Sequence, residues 1–172
     1  MAIEVVSVDT QILSWAIIGK SVKGSEPFIP LARDFMGWLD KQNVTILVPT
    51  IVISEMLVSV DPIDIPTVMK KFKSDWVTID FDFVSAVKYA AIRRDHIINK
   101  RYDDIRKIYP DCTKRELDAD TKIIANAIAH GATTIYSEDA RFLSVAEGYI
   151  NARHMQDESF QLTMDLDDNT DS

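Results

Sequence analysis

The chain has 172 residues, enough for one domain with a buried core. Its content of 47% hydrophobic and 27% charged residues is typical of a globular protein, and no apolar run approaches the roughly 20 residues of a membrane helix. Cys112 is the single cysteine, which excludes an internal disulfide and a thiolate cluster. Because the N-terminus also lacks a signal-peptide pattern, we expect a cytoplasmic protein without a membrane segment.

Strands and helices alternate through the N-terminal half. Its predicted strands lie at 3–8, 44–48 and 76–79, and its predicted helices at 10–18, 31–41, 50–60 and 65–74. Asp9 follows the first strand, where it would also be a good helix N-cap. Glu55 is the only charge in its helix, and helical spacing places apolar side chains beside it. We therefore expect Glu55 to be buried and to be protonated, bound to a cation or paired with a distant basic side chain.

The next segment is basic, although the net charge of the chain is −8. Residues 88–115 carry nine basic and four acidic side chains, so their charge is +5 and the remainder of the chain carries −13. The segment begins in a predicted helix at 82–99 whose apolar face contains Val84, Val87 and Ala91. It is suited to contacts with phosphates, with Tyr102 or Tyr109 stacking on a base. A solvated helix face balanced by neighbouring acids, or an intramolecular docking site for the acidic tail, explains the charge equally well. The candidate nucleic-acid-binding residues are Arg93, Arg94, Lys100, Arg101, Arg106 and Lys107.

The stretch from Asp118 to Phe142 contains an acidic opening, a helix, a turn and a strand followed by more acid. Asp120 opens the helix and shares a face with its isoleucines, which places one carboxylate on the buried side. His130-Gly131 ends the helix, and the strand at 132–136 follows. Asp139 comes just after that strand. A small helix at 140–147 and a last strand near 149–150 complete the predicted elements.

This alternation predicts an α/β fold with a central, mainly parallel sheet covered on both faces. The carboxyl ends of parallel strands meet at one edge, so Asp9, Glu55, Asp120 and Asp139 could converge there. Clustered carboxylates repel one another unless one is protonated or a cation is bound. Sites of oxygen ligands favour Mg²⁺ or Mn²⁺, and metal-assisted phosphodiester hydrolysis is the chemistry that fits. The chain contains neither a GxxxxGK[ST] phosphate loop nor a GxSxG elbow nor an HExxH pair.

These motifs resemble the PIN-domain nucleases, and most of all the VapC-type ribonucleases. The resemblance covers about residues 3–150 and rests on four segments: VDT after the first strand, PTIVISEML, the D-x-x-I-I-A-N-A-x-A-H-G segment, and YSEDARF. Carried over by position, the family's catalytic, metal-binding acids match Asp9, Glu55, Asp120 and Asp139, and Thr10 matches a helping hydroxyl. The family's Thr-x-Asp motif is Ser137-Glu138-Asp139 here, so Glu138 remains an alternative ligand.

The resemblance implies a three-layer α/β/α fold and Mg²⁺- or Mn²⁺-dependent endonucleolytic cleavage of RNA to 5′-phosphate and 3′-hydroxyl ends. For toxin members it also implies a cognate antitoxin and a homodimer. We predict a nuclease domain at 1–151, with a basic helical insertion at about 95–115, and a partly mobile acidic tail at 152–172. The alternative is a PIN-fold module with weak or no activity that binds RNA or protein. A haloacid dehalogenase-type phosphatase is disfavoured because Gln11 stands where its second aspartate would be.

Overall fold

The computed structural model describes residues 4–72, 74 and 76–158, and confirms the three-layer α/β/α fold. Five parallel strands form one sheet in the order β3-β2-β1-β4-β5, with helices on its two faces. The strands are β1 Glu4–Val8, β2 Val44–Pro49, β3 Val77–Ile79, β4 Thr134–Tyr136 and β5 Asn151–Arg153. The α-helices are α1 Thr10–Leu13, α2 Phe28–Leu39, α3 Thr50–Leu57, α4 Ile65–Met69, α5 Phe83–Ile98, α6 Arg101–Ile108, α7 Lys114–Ala129 and α8 Ala140–Ala146. A π-helical stretch at Ser14–Ile18 extends α1, and a 3₁₀ turn covers Met155–Asp157.

The chain reverses its direction of travel across the sheet at β1. Strands β2 and β3 are added on one side of β1, whereas β4 and β5 are added on the other. Val6 of β1 is accordingly in register with Ile46 on one side and Thr134 on the other. In open parallel sheets this switch point leaves a crevice beyond the carboxyl ends of the strands, where ligands bind. The residues that follow β1 and β4 are therefore the first candidates for a functional site.

Helix α7 begins earlier than its sequence pattern predicts. Thr113 and Glu116 form a capping box, in which the Thr113 side chain accepts from the Glu116 amide and Glu116 accepts from the Thr113 amide. The prediction that Asp120 opens the helix is therefore wrong, because Asp120 lies in the second turn. The predicted end is confirmed, since Gly131 follows the last turn with φ 88°.

Helix α5 presents the opposite face from the one predicted. Val84 and Val87 are each 55% exposed, whereas Ser85 and His96 are buried against the rest of the protein. The reason is a polar contact: the Ser85 hydroxyl lies 2.8 Å from Oδ1 of both Asp82 and Asn126. Hydrogen bonding at the start of the helix thus fixes its rotation: Val84, Val87 and Ala91 remain outside, and Ile92 is buried instead.

The sheet continues a little further along the chain than the sequence pattern indicates. The last strand lies at 151–153, beyond the predicted 149–150, and the Met155 side chain is fully buried in the core. The prediction of a mobile acidic tail falls mainly on residues 159–172, which lie outside the described residues. None of the helices that the structure describes is long and apolar enough to cross a lipid bilayer.

His96 makes the stability of this fold depend on pH. It is 1% exposed, its ring lies between those of Tyr102 and Tyr149, and neither ring nitrogen has a hydrogen-bond partner among the described residues. Burial lowers the pKa of His96 from 6.5 to about 4, and the positive charge of Arg101 adds to the shift. The unfolded chain therefore takes up a proton near pH 6.5 that the folded chain accepts only near pH 4.

We expect the free energy of unfolding to fall as the pH decreases from 6.5 to 4, with about 2 kcal/mol lost at pH 5 on account of this residue. His96→Leu should remove that part of the pH dependence while leaving the remaining slope unchanged. Urea unfolding of both proteins at pH 8 and pH 5 measures it. An equal loss of stability between the two pH values in wild type and variant would contradict this account.

Candidate functional site

The first component of the site is Asp9, which directly follows β1. Its amide donates to the Tyr136 carbonyl (2.9 Å), so the pairing of β1 with β4 extends to this residue. Its carboxylate accepts from the Thr10 amide (2.7 Å) through Oδ1 and from the Ser137 hydroxyl (2.8 Å) through Oδ2. Asp9 is therefore both the N-cap of α1 and a buried carboxylate held between the ends of two strands. Capping and a role in a site are compatible at this position.

Asp120 and Asp139 face one another across the guanidinium of Arg141. Asp120 projects from α7 and is buried, whereas Asp139 is the N-cap of α8 and accepts from the Arg141 amide (2.8 Å). Oδ2 of Asp120 lies 3.1 Å from Arg141 Nε, and Oδ2 of Asp139 lies 3.0 Å from Arg141 Nη2. The two carboxylates thus share one basic side chain.

Glu55 lies at the edge of the cluster and is exposed, which corrects the prediction that it is buried. Its Oε2 accepts from the Thr10 hydroxyl (2.6 Å), and no basic side chain among the described residues pairs with it. The exposure has a simple cause: α3 begins directly after β2, and its buried face is formed by Val52 and Met56 instead. Thr10 therefore connects the end of β1 to α3.

The pKa values of two of these acids indicate how closely the four are grouped. Burial raises the pKa of Asp120 to about 8, and the charges of Asp9, Asp139 and Glu55 add to this effect, whereas Arg141 opposes it. Burial also raises the pKa of Asp9 to about 6, with Asp139 and Glu55 acting in the same direction against the hydrogen bonds from Ser137 and Thr10. The charges of Asp139 and Glu55 thus act on both Asp9 and Asp120, and a group of carboxylates of this kind favours either a proton or a cation.

The donor types of this cluster fit a hard divalent cation, since carboxylate and hydroxyl oxygens are the preferred ligands of Mg²⁺ and Mn²⁺. Asp120 Oδ2 is buried and has no hydrogen-bond partner in the described part of the chain, so it has lone pairs for another ligand. Within that same part, no three acidic, histidine or cysteine side chains are already arranged as a metal-binding group. Arg141 stands between two of the candidate ligands, Asp120 and Asp139.

Two further carboxylates have partners outside the cluster. Glu138 accepts from the Met155 amide (2.7 Å) and lies 3.2 Å from His154 Nδ1, so it ties the end of β4 to the 3₁₀ turn. Asp118 forms the i,i+4 ion pair with Lys122 and also contacts Arg93. Both side chains have partners of their own, away from Asp120.

The basic segment is partly neutralised within the chain. Arg93 pairs with Asp118, Arg101 with Glu147, and Lys107 with Asp104. Among the described residues no ion pair involves Arg94, Lys100 or Arg106, all of which are exposed. The other three candidates thus already have acidic partners.

The two tyrosines proposed for base stacking differ in their accessibility. Tyr102 is buried and its hydroxyl donates to the Leu117 carbonyl, so it is unavailable to a base. Tyr109 is half-buried and lines a cavity of about 410 Å³ that borders the acidic cluster. The walls of this cavity are Ile108, Tyr109, Pro110, Asp111, Cys112, Glu116, Asp139 and Arg141. Only the second tyrosine is therefore placed where a nucleotide beside the cluster could meet it.

Sequence reasoning did not single out Arg141 or Ser137 as parts of the site. Arg141 lies two residues after Asp139, at the start of a helix, where a basic residue has no special meaning in sequence. Ser137 was noted only as part of a motif, although its hydroxyl contacts Asp9 and also accepts from the Asp139 amide (3.1 Å). Both roles depend on contacts between strands and helices distant in the chain.

Comparison with known proteins identifies the family to which this architecture belongs. No curated protein matches the chain significantly in sequence. A solved structure that is similar in fold is VapBC2 from Rickettsia felis bound to a DNA fragment from their promoter, with 18% identity, a TM-score of 0.59, and coverage of 87% of this chain and 98% of the other. The family profile described as PIN domain matches residues 6–148. The chain therefore belongs to the PIN domain family.

Proposed function

We propose that the chain is a metal-dependent endoribonuclease in which Asp9, Asp120, Asp139 and Glu55 hold Mg²⁺ or Mn²⁺. The observation that carries the proposal is the convergence of these acids at the switch point of the sheet, where two of them have strongly raised pKa values. A bound ion would lower the pKa of an attacking water and neutralise charge on the phosphate. Membership of the PIN domain family supports a nuclease, and the VapC-like motifs support RNA as its substrate.

The chain's own residues would prepare the site for this reaction. Thr10 and Ser137 fix the orientation of the Asp9 carboxylate by hydrogen bonds to both of its oxygens. The Thr10 hydroxyl fixes Glu55 in the same way. Because these groups are held before a ligand arrives, less ordering entropy is lost when a metal and its phosphate bind.

The partners we propose are an RNA substrate, a second copy of the chain and a cognate antitoxin. The structural similarity to VapBC2, whose solved structure includes a DNA fragment from their promoter, supports the antitoxin. A second candidate function is a PIN-fold module that binds RNA or protein without cleaving it. The ion pairs of Arg141 with Asp120 and Asp139 favour this alternative, because a permanent internal cation would leave no need for a metal.

The decisive test is cleavage of a labelled single-stranded RNA with Mn²⁺ or Mg²⁺ by wild type and by two matched variants. Asp120→Asn should lower the rate by more than about 100-fold, because it removes a charge that holds the ion. Asp118→Asn is two residues away on the same helix, removes the same charge, and should retain activity. Equal activity of wild type and Asp120→Asn would point to a contaminant. No cleavage and no metal binding by wild type would favour the binding module.

A second pair of variants assigns the carboxylate after β4. Asp139→Asn should weaken Mn²⁺ binding by at least about tenfold, whereas Glu138→Gln should alter it by less than about twofold, because Glu138 contacts Met155 and His154 instead. Isothermal titration calorimetry gives both affinities. The reverse order of effects would exchange the roles of the two residues.

The three basic residues that form no ion pair within the described part of the chain can be tested by their effect on RNA affinity. Substitution of Arg94, Lys100 and Arg106 together by Gln, in an Asp120→Asn background, should weaken RNA binding about tenfold and reduce the slope of log K against log salt by about 2. Fluorescence anisotropy at several salt concentrations measures this. The control replaces three other exposed lysines by Gln, which changes the net charge equally: Lys23, Lys41 and Lys70. Equal weakening by both triple variants would favour the solvated-face interpretation.

A further inference from the structure

The acidic cluster contains a cation supplied by the chain itself. The guanidinium of Arg141 lies 3.1 Å from Asp120, 3.0 Å from Asp139 and 3.6 Å from Glu116. Asp120 and Asp139 are two of the residues that the proposed function assigns to the metal. A guanidinium and a divalent metal ion are both cations that stabilise clustered carboxylates, so they have the same electrostatic role at this position.

The contact between Arg141 and Asp120 is close but poorly directed. Arg141 Nε and Asp120 Oδ2 are within ion-pair distance, yet neither atom has a hydrogen-bond partner among the described residues. The pair therefore gains charge attraction without the directional hydrogen bond that makes a bidentate arginine–carboxylate pair strong. A metal ion that bound to Asp120 would replace an incomplete interaction and would break no hydrogen bond at this oxygen.

A third acidic side chain lies within ion-pair distance of the guanidinium. The Arg141 side chain is only 21% exposed, but it forms part of the wall of the 410 Å³ cavity that borders the cluster. Glu116, which lines the same cavity, already lies within ion-pair distance of Arg141 Nη1. A change of side-chain rotamer could thus move the positive charge from the two aspartates towards Glu116 without exposing an unpaired arginine.

We propose that Arg141 is an exchangeable internal counter-ion, which competes with a divalent metal ion for Asp120 and Asp139 and moves towards Glu116 when the metal binds. This inference rests on the proposed metal site. Arg141 then determines the affinity for the metal, because the metal must displace the guanidinium before it can bind both aspartates. This competition also accounts for the coexistence of a basic side chain with a cluster whose oxygen donors suit a metal.

The test is calorimetric titration of Mn²⁺ into wild type, Arg141→Met and Arg153→Met. Arg153 is a matched control because it pairs with Glu158, outside the acidic cluster, and its loss changes the net charge equally. We expect Arg141→Met to bind Mn²⁺ about tenfold more tightly than Arg153→Met, since the competitor is gone. In EDTA, the same variant should melt at a lower temperature than the control, because the carboxylates have lost their cation.

Affinity in Arg141→Met that equals or falls below that of Arg153→Met would overturn the proposal, while metal-dependent cleavage by wild type would still support the nuclease. If no protein binds Mn²⁺, both the competition and the metal-dependent function are overturned. An independent measurement on wild type covers the case of a variant that does not fold. The ¹⁵Nε resonance of Arg141, assigned with Arg141→Lys, should shift as Mg²⁺ is added, and an unchanged resonance would contradict displacement.

Discussion

Repulsion among carboxylates at the ends of β1 and β4 is the constraint on which the rest of this structure depends. Burial raises the free energy of the charges on Asp9 and Asp120, and the neighbouring acids raise it further. The surrounding contacts are responses to that cost: hydroxyl and amide donors satisfy Asp9, and a guanidinium faces Asp120 and Asp139. An arrangement that costs stability in this way is common at functional sites, where binding or catalysis requires concentrated charge.

Much of the fold follows from local patterns in the sequence. The β-branched segments before Asp9 and before Ser137 are strands because both of their faces are covered, and Gly131 ends α7 because the chain adopts a positive φ there. The rotation of α5 could not be predicted in this way, because it is set by a hydrogen bond between Ser85 and Asn126, 41 residues apart. Hydrophobic periodicity carries no information about such a contact.

The candidate site likewise contains residues that could be predicted from the sequence and residues that could not. The acids could be selected from sequence because a carboxylate on an apolar helix face or directly after a buried strand is costly, and the order of strands then brings them together. Their counter-charge could not be selected, since the position of Arg141 depends on how α8 packs against α7. The exposure of Glu55 was missed for a related reason: the helix rotation that buries Val52 and Met56 is determined by packing on the sheet.

The capping box at the start of α7 joins the helix to the site through one side chain. Oε2 of Glu116 accepts from the Thr113 amide and hydroxyl, while its Oε1 faces Arg141. The Glu116 carboxylate, which caps the first turn of the helix, therefore also interacts with the charge of Arg141. A change in the position of that guanidinium would alter the electrostatic environment of the first turn. The stability of the helix start would therefore be coupled to the charge at Asp120.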